Sequence, residues 1–269
     1  MWVYLPLHRK LFILTVYSVT MRRLGLADVL YLSLDSLKSQ PSLFFPIFFT
    51  FTLSFLIFSF TFGSFSSFSD FVDTVPELLR ENFNQLLVVL IILYLLVVCG
   101  AAIVCGMTKV GIAVGTSSIG EGLREAEKSI FSIIVAFLIA GIISGILSVG
   151  GVIVVTQIVP ETGIAAALLY AFVIQLSFMM GILFLYALPA ITIDELDSVT
   201  AIGVSIGIVL NHLKETVMLA FLALVSLIAA FFGSLYISGV LSYLFLLASF
   251  SVVLTVLVIA VTVDYVNLK

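Results

Sequence analysis

Residues 216–263 read TVMLAFLALVSLIAAFFGSLYISGVLSYLFLLASFSVVLTVLVIAVTV, and none of them is charged. As a helix rising about 1.5 Å per residue, this stretch would be roughly 72 Å long, more than twice the ~30 Å hydrocarbon core of a bilayer. Near its middle stand Phe232-Gly233-Ser234 and Ser238-Gly239, a composition typical of a tight turn. The stretch therefore predicts two membrane-spanning helices, 216–235 and 240–262, that form a hairpin.

The composition of the whole chain points the same way. Of its 269 residues, 62% are hydrophobic and 10% are charged, whereas soluble domains carry about 25% charged residues. A soluble fold of this size could not bury so much apolar surface. We therefore expect an all-α integral membrane protein whose partners are membrane lipids, with a protein partner or a homo-oligomer left open. A pI near 5.1 and the lack of a basic patch argue against nucleic acid as a partner.

Four further charge-free stretches each hold one predicted span and bring the total to six transmembrane helices. These spans are 42–62, 86–107, 131–155 and 165–187. One more apolar stretch, 198–213, is short for a crossing and ends in polar residues, so an interfacial or re-entrant helix is predicted there. All six spans are assigned to one membrane domain, residues 22–265.

Lysine and arginine are distributed unevenly between the two sides that six spans define. One side would carry ten of them, and the other side would carry only Arg80. The ten are Arg9, Lys10, Arg22, Arg23, Lys38, Lys109, Arg124, Lys128, Lys214 and Lys269. Because cytoplasmic loops are enriched in these residues, the pattern predicts a multi-pass cell-membrane protein with both termini in the cytoplasm.

Residues 1–21 form an N-terminal extension ahead of the predicted domain. Its apolar part, 11–19, is followed at once by Arg22 and Arg23 and lacks a small-residue cleavage site, which argues against a signal peptide. A second interpretation starts translation at Met21 rather than Met1. An intact mass near 29.2 kDa for the natively expressed protein would contradict that later start.

Three segments that precede odd-numbered spans share one spacing of apolar or small residues. Each has them at i, i+4, i+7 and i+11, positions that lie on one face of a helix. The sets are Leu26, Leu30, Ser33 and Leu37; Ile119, Leu123, Ala126 and Ile130; and Ile202, Ile206, Val209 and Leu213. Ser118 and Glu121 are predicted to form a capping box in front of the second set. The pattern suggests three repeats of a short cytoplasmic interfacial amphipathic helix followed by a helical hairpin.

A family resemblance rests on the region after the fourth predicted span. There Tyr186-Ala187-Leu188-Pro189-Ala190-Ile191 precedes Asp194-Glu195, and Ala201, Ser205 and Asn211-His212 follow; Leu26-Ala27-Asp28 and Gln40-Pro41 add to it. These residues resemble a group of six-span prokaryotic membrane proteins of unknown function. The group includes YciC-like proteins and the membrane domain attached to some glycerophosphodiester phosphodiesterases. The resemblance covers the layout of residues 22–265; it implies the six-span fold and no agreed activity, and we expect no soluble phosphodiesterase domain in a chain of this length.

Few residues of the predicted spans could carry chemistry. Gln175 is the one amide near the middle of a span, where it would contact a substrate or bond a neighbouring helix. Gly141 and Gly145 form a GxxxG pattern that permits close helix packing, within the chain or between copies. No catalytic residue, metal site or cofactor is predicted, because the two histidines lie far apart and Cys99 and Cys105 point to different sides of a helix.

Two function hypotheses remain open. The first is a non-enzymatic protein that organises or regulates the membrane, because so much of the chain is spent on cytoplasmic amphipathic helices. The second is a transporter or export component for an apolar or lipid-like substrate, suggested by the repeated hairpins and by Gln175. Ion-coupled transport is disfavoured, because the span centres contain no carboxylate.

Overall fold

The computed structural model describes residues 24–63, 81–158 and 178–269, together with Thr74, Val173, Gln175 and Leu176. All regular structure in this part of the chain is helical. The α-helices are α1 (Leu26–Ser39), α2 (Phe45–Phe62), α3 (Phe83–Val114), α4 (Ile119–Ile158), α5 (Ala187–Asp194), α6 (Ser198–Asn211), α7 (Leu213–Leu235) and α8 (Val240–Leu268). The protein is an all-α integral membrane protein, which confirms the predicted fold class.

Within the described residues, five helices are long and apolar enough to cross a membrane: α2, α3, α4, α7 and α8. They coincide with the first, second, third, fifth and sixth predicted spans. The fourth span, 165–187, falls mostly outside the described residues and stays a prediction, as does the extension 1–21. The stretch 198–213 forms the 14-residue helix α6, shorter than a span, which agrees with the expectation of a separate short helix.

The chain divides into two compact units, Met1–Ile130 with Met218–Lys269, and Phe131–Val217. In the first unit, α2, α3 and α8 pack on one another around buried Ile47, Met107 and Ile259. The helices α2 and α3 approach closely at Gly100, where a Cβ atom would stand 2.6 Å from Oγ1 of Thr50. Whether 22–265 behaves as a single domain stays a prediction.

The predicted capping box at Ser118 and Glu121 is confirmed. The Glu121 carboxylate accepts from the Ser118 backbone N–H at 2.8 Å, and the Ser118 hydroxyl accepts from the Glu121 N–H at 3.3 Å. The helix that starts there is not a separate interfacial helix, however. It runs without interruption into the third span as α4.

In the second and third segments, the buried line differs from the predicted apolar stripe and shares only Ala126 and Val209 with it. Ile119 and Leu123 are exposed, whereas Gly122 and Ala126 of the same helix are buried. In α6 the buried line is formed by small residues, namely Ser198, Ala201, Ser205 and Val209. The difference arises because a helix in lipid turns small residues toward its neighbours and leaves large apolar residues to the acyl chains.

Candidate functional site: a charged cleft beside α1

Helix α1 has three distinct faces, separated by the 100° turn between successive residues. The inner face, with Val29 and Ser33 at its centre, is buried against the first unit. A second line carries the apolar side chains of Tyr31 and Leu34, which are 70% and 54% exposed. A third line is acidic and also exposed, with Asp28 and Asp35. The inner face contains the predicted stripe, so that prediction is confirmed for α1.

The two ends of the described chain meet where α1 begins. The backbone N–H of Leu24 donates to Oδ1 of Asn267 at 2.9 Å, and Nδ2 of Asn267 donates to the Leu24 carbonyl at 3.3 Å. Asn267 lies in the last turn of α8, and α1 packs along that helix. A single amide side chain therefore fixes the start of α1 to the end of α8.

A cleft of about 470 Å³ opens where α1 ends. Its polar lining comes from Asp35, Lys38 and Gln40 of the α1 end and from Thr108 and Thr116 of α3 and the following loop. Its apolar lining includes Leu43, Ile112 and Val263. The cleft thus joins a turn of α1, the last turns of α3 and the end of α8, all within the first unit.

The charges of the cleft have both signs. Asp35 and Lys38 form no ion pair within the described part of the chain. The carbonyl ends of α1 and α3 both reach the cleft, since Ser39 and Gly111 line it, and helix C-termini carry partial negative charge. Across the cleft, the Ser117 hydroxyl donates to Oε1 of Gln40 at 3.4 Å. The arrangement can bind a cation near Asp35 and an anion near Lys38.

An ion-pair cluster ties α3 to α4 in the same unit. The Lys109 ammonium lies 2.7 Å from Oε2 of Glu125, and Lys128 pairs with Oε1 of the same carboxylate. Below it, the two helices touch through glycines, since a Cβ on Gly106 would stand 2.7 Å from the carbonyl oxygen of Gly122. These charges are structural, because each is satisfied by a neighbour.

The second unit contains a buried network of hydroxyl groups at a helix interruption. Residues 178–183 are helical, 184–186 form a turn, and α5 begins at Ala187. Ser205 of α6 bonds both sides of the turn: its hydroxyl donates to the Leu183 carbonyl at 2.7 Å and accepts from the Tyr186 N–H at 3.0 Å. The Tyr186 hydroxyl lies 3.3 Å from Oγ1 of Thr216. Pro189, which has no N–H to bond the Leu185 carbonyl, explains why the helix breaks here.

The residues singled out from sequence do not gather at the cleft. Gln175 is exposed, and residues 159–172 and 174 directly before it lie outside the described residues, so its role stays a prediction. Gly141 is exposed, and no described atom lies within 4 Å of a Cβ placed on Gly145. In the described residues the GxxxG pattern therefore has no helix packed against Gly145, and its packing role stays a prediction.

The acidic group after the fourth predicted span has a capping role. Asp197 is the N-cap of α6 and accepts from the N–H groups of Val199 and Thr200, both at 3.1 Å. No group of three or more potential metal ligands is found among the described residues.

Sequence reasoning missed both polar centres. In the sequence, Lys38 contributes only to the count of basic residues, Gln40 only to the family resemblance, and Asp35 to neither. Ser205 likewise contributes only to the resemblance. Pro189 is the one local indication of the helix interruption, across which the Ser205 hydroxyl forms two hydrogen bonds. In the comparisons with known proteins, no family model matches the chain, and neither a curated protein nor a solved structure matches it.

Proposed function

We propose that this protein is a non-enzymatic membrane protein with an organising or regulatory role, which acts on the lipids of the cytoplasmic leaflet through α1. The observation that carries the proposal is the three-faced α1. A helix with one face on the protein, one exposed apolar line and one exposed acidic line matches the boundary between protein, acyl chains and water.

The uneven distribution of lysine and arginine supports the cytoplasmic side. Lys38 ends the exposed line that begins at Ala27 and passes through Tyr31 and Leu34, since these positions recur at i, i+4, i+7 and i+11. A lysine at the end of an apolar line can extend its ammonium to the headgroup region while its stem covers apolar surface. Helix α1 would therefore hold lipid along one side and remain anchored to α8 on the other.

The first experiment measures where α1 lies relative to lipid. A fluorescent bimane label is attached at Leu34→Cys in a Cys99→Ala background, because Cys105 is fully buried and shielded from the label. The protein is reconstituted in liposomes that contain lipids spin-labelled at the headgroup or along the acyl chain. We expect strong quenching from shallow acyl positions. A matched label at Asp28→Cys, on the acidic line, should be quenched much less, and equal weak quenching at both positions would overturn the proposal.

The second experiment measures the effect of α1 on lipid. Electron spin resonance of spin-labelled phospholipid in the same liposomes reports the fraction of lipid whose motion is restricted by the protein. Leu34→Ser should reduce that fraction, because it removes the apolar contact, whereas Ser226→Ala on the exposed surface of α7 should not. No difference between Leu34→Ser and the wild type would contradict the organising role.

A second candidate function is transport of an apolar or lipid-like substrate, favoured by the interrupted helix of the second unit. Broken helices occur at substrate sites of transporters, where non-helical backbone is held by protein. Movement of fluorescent phospholipid between leaflets, measured by dithionite quenching in the same liposomes, tests it. A flux above that of protein-free liposomes that Gln175→Leu abolishes would favour transport over the organising role.

A further inference from the structure

We infer that the cleft at the end of α1 is a binding site for the headgroup of a zwitterionic phospholipid that carries a primary ammonium group, such as phosphatidylethanolamine. This inference rests on the proposed function, because it names the lipid that α1 would hold. It concerns a site formed by Asp35, Lys38, Gln40 and the ends of α1 and α3.

The two charges of the cleft argue for a ligand that also has two. Asp35 and Lys38 stand three positions apart on α1, so their Cβ atoms are neighbours on the helix surface. They form no pair with each other, and both line the same cleft. A phosphodiester beside Lys38 and an ammonium group beside Asp35 would match both charges. An anionic headgroup would satisfy Lys38 but would be repelled by Asp35.

The rest of the lining favours an ammonium group that can donate hydrogen bonds. The last turns of α1 and α3, where a helix has carbonyl groups without intrahelical partners, line the cleft, and Gln40 adds an amide oxygen that accepts from Ser117. A primary ammonium has three N–H donors for such acceptors. A trimethylammonium group has none and is usually recognised by aromatic side chains, and the described lining contains no aromatic residue.

The size and surroundings of the cleft fit a lipid headgroup. Its volume of about 470 Å³ lies within the range of roughly 300–1,000 Å³ that is usual for ligand pockets. Leu43, Ile112 and Val263 give it an apolar part. Leu34, exposed one turn before Lys38, offers apolar surface for an acyl chain on the same side of α1. A lipid can therefore place its headgroup in the cleft and its chains beside α1.

Native mass spectrometry of the full-length protein tests the site. The protein is mixed with equal amounts of dioleoyl phosphatidylethanolamine, phosphatidylcholine and phosphatidylglycerol, and the population with one lipid bound is compared. We expect phosphatidylethanolamine to dominate. Asp35→Asn should lower the ratio of bound phosphatidylethanolamine to bound phosphatidylglycerol about threefold. Lys38→Met should lower the binding of phosphatidylethanolamine by a similar factor, as expected for partly exposed charge pairs.

Charge-matched variants outside the cleft provide the controls. Asp28→Asn lies on the same helix and keeps the side-chain oxygen that accepts from Gly25, and Lys214→Met lies at the start of α7; both should behave like the wild type. Unchanged lipid ratios in Asp35→Asn and Lys38→Met would overturn the cleft site, while the depth of the Leu34 label would still report on the proposed function. Displacement of the lipid by an equal concentration of soluble phosphoethanolamine would also overturn it, because the ligand would then not be a membrane lipid.

Discussion

Ser205 is the residue on which the helix interruption of the second unit depends. Its hydroxyl is fully buried and satisfies one carbonyl and one N–H that the turn at 184–186 leaves without helical partners. Ser205→Ala would remove the hydroxyl that bonds both groups, and the loss of a hydrogen bond to a buried polar group costs about 1–3 kcal/mol. We expect a clear loss of thermal stability in detergent, measured by fluorescence-detected size-exclusion chromatography after heating.

The matched control for Ser205→Ala is Ser226→Ala. Ser226 also donates to a backbone carbonyl, that of Leu222, but it is exposed on α7 and bonds only its own helix. Removing the Ser226 hydroxyl should leave the midpoint of thermal denaturation unchanged. Equal midpoints for the two variants would mean that water or a relaxed backbone replaces the Ser205 hydroxyl.

Asp197 makes the stability of the α6 start depend on pH. The hydrogen bonds from the Thr200 side chain, and from the Thr200 and Val199 backbone N–H groups, hold the pKa of Asp197 below its ordinary value. A carboxylate with a lowered folded-state pKa stabilises the helix above its unfolded pKa of about 3.9, and this contribution is lost as the pH falls through the folded value. Hydrogen exchange at Val199 and Thr200, corrected for intrinsic rates, should therefore lose protection below about pH 4.

Asp197→Asn separates titration from capping, because asparagine also caps helices but does not titrate. In this variant the protection of the first turn of α6 should be independent of pH over the same window. If it fell in parallel with the wild type, another group would be responsible.

The local sequence was sufficient to predict the hydrogen bonds of some of these residues and not those of others. The Ser118–Glu121 capping box and the Asp197 cap could be predicted, because each joins groups within three residues of one another. Ser205 could not, because its partners Leu183 and Tyr186 lie about twenty positions away. A buried hydroxyl and a solvated hydroxyl look alike in a sequence.

At the scale of elements, the close packing of α3 on α4 depends on glycine. A Cβ on Gly106 would stand 2.7 Å from the Gly122 carbonyl oxygen, and backbone cannot move aside as a flexible side chain can. Gly106→Ala should separate the two helices and lower the thermal midpoint, and we expect a cost of about 1–3 kcal/mol, as for overpacked cores. Gly120→Ala is the control, since nothing lies within 4 Å of its Cβ position.

The control should be neutral or slightly stabilising, because alanine has a higher helix propensity than glycine by about 1 kcal/mol. Similar effects for the two variants would show that glycine acts through propensity, not through contact. The distance from Lys109 to Glu125 offers a further readout, because separating the helices should break this pair.

The long apolar helices were predictable, and their inward faces were not. Length and hydropathy identify a span because the bilayer requires both. They do not show which face is buried, because acyl chains solvate leucine and isoleucine as well as a protein interior does. This explains why Ile119 and Leu123 are exposed while Gly122 and Ala126 are buried.

At the scale of the whole molecule, the cleft illustrates what only the fold can bring together. Its lining runs from Asp35 to Val263 and draws on α1, α3 and α8. None of its residues belongs to a motif that indicates lipid binding. The charged side chains of Asp35 and Lys38 face this cleft because α1 is held against α8, where the hydrogen bonds between Leu24 and Asn267 join the start of α1 to the end of α8.

That same pair constrains the number of membrane crossings. Leu24 and Asn267 are in contact, so we expect the chain between them to begin and end on one side of the bilayer. That expectation implies an even number of crossings. The described residues contain five helices that are long and apolar enough to cross, so if each of them crosses, one more crossing is needed. We therefore expect the predicted span 165–187 to be the sixth.

Cysteine accessibility tests the sixth crossing. In a Cys99→Ala background, Thr162→Cys lies in the loop that six spans place outside, and Ser117→Cys lies in a loop that they place in the cytoplasm. A membrane-impermeant maleimide added to intact cells should label the first and spare the second, and permeabilisation should expose both. Labelling of Ser117→Cys in intact cells would reverse the orientation inferred from lysine and arginine. Protection of Thr162→Cys until permeabilisation, with Ser117→Cys also protected, would place both loops inside, so that α4 would not cross and the even count would have to be met by four spans.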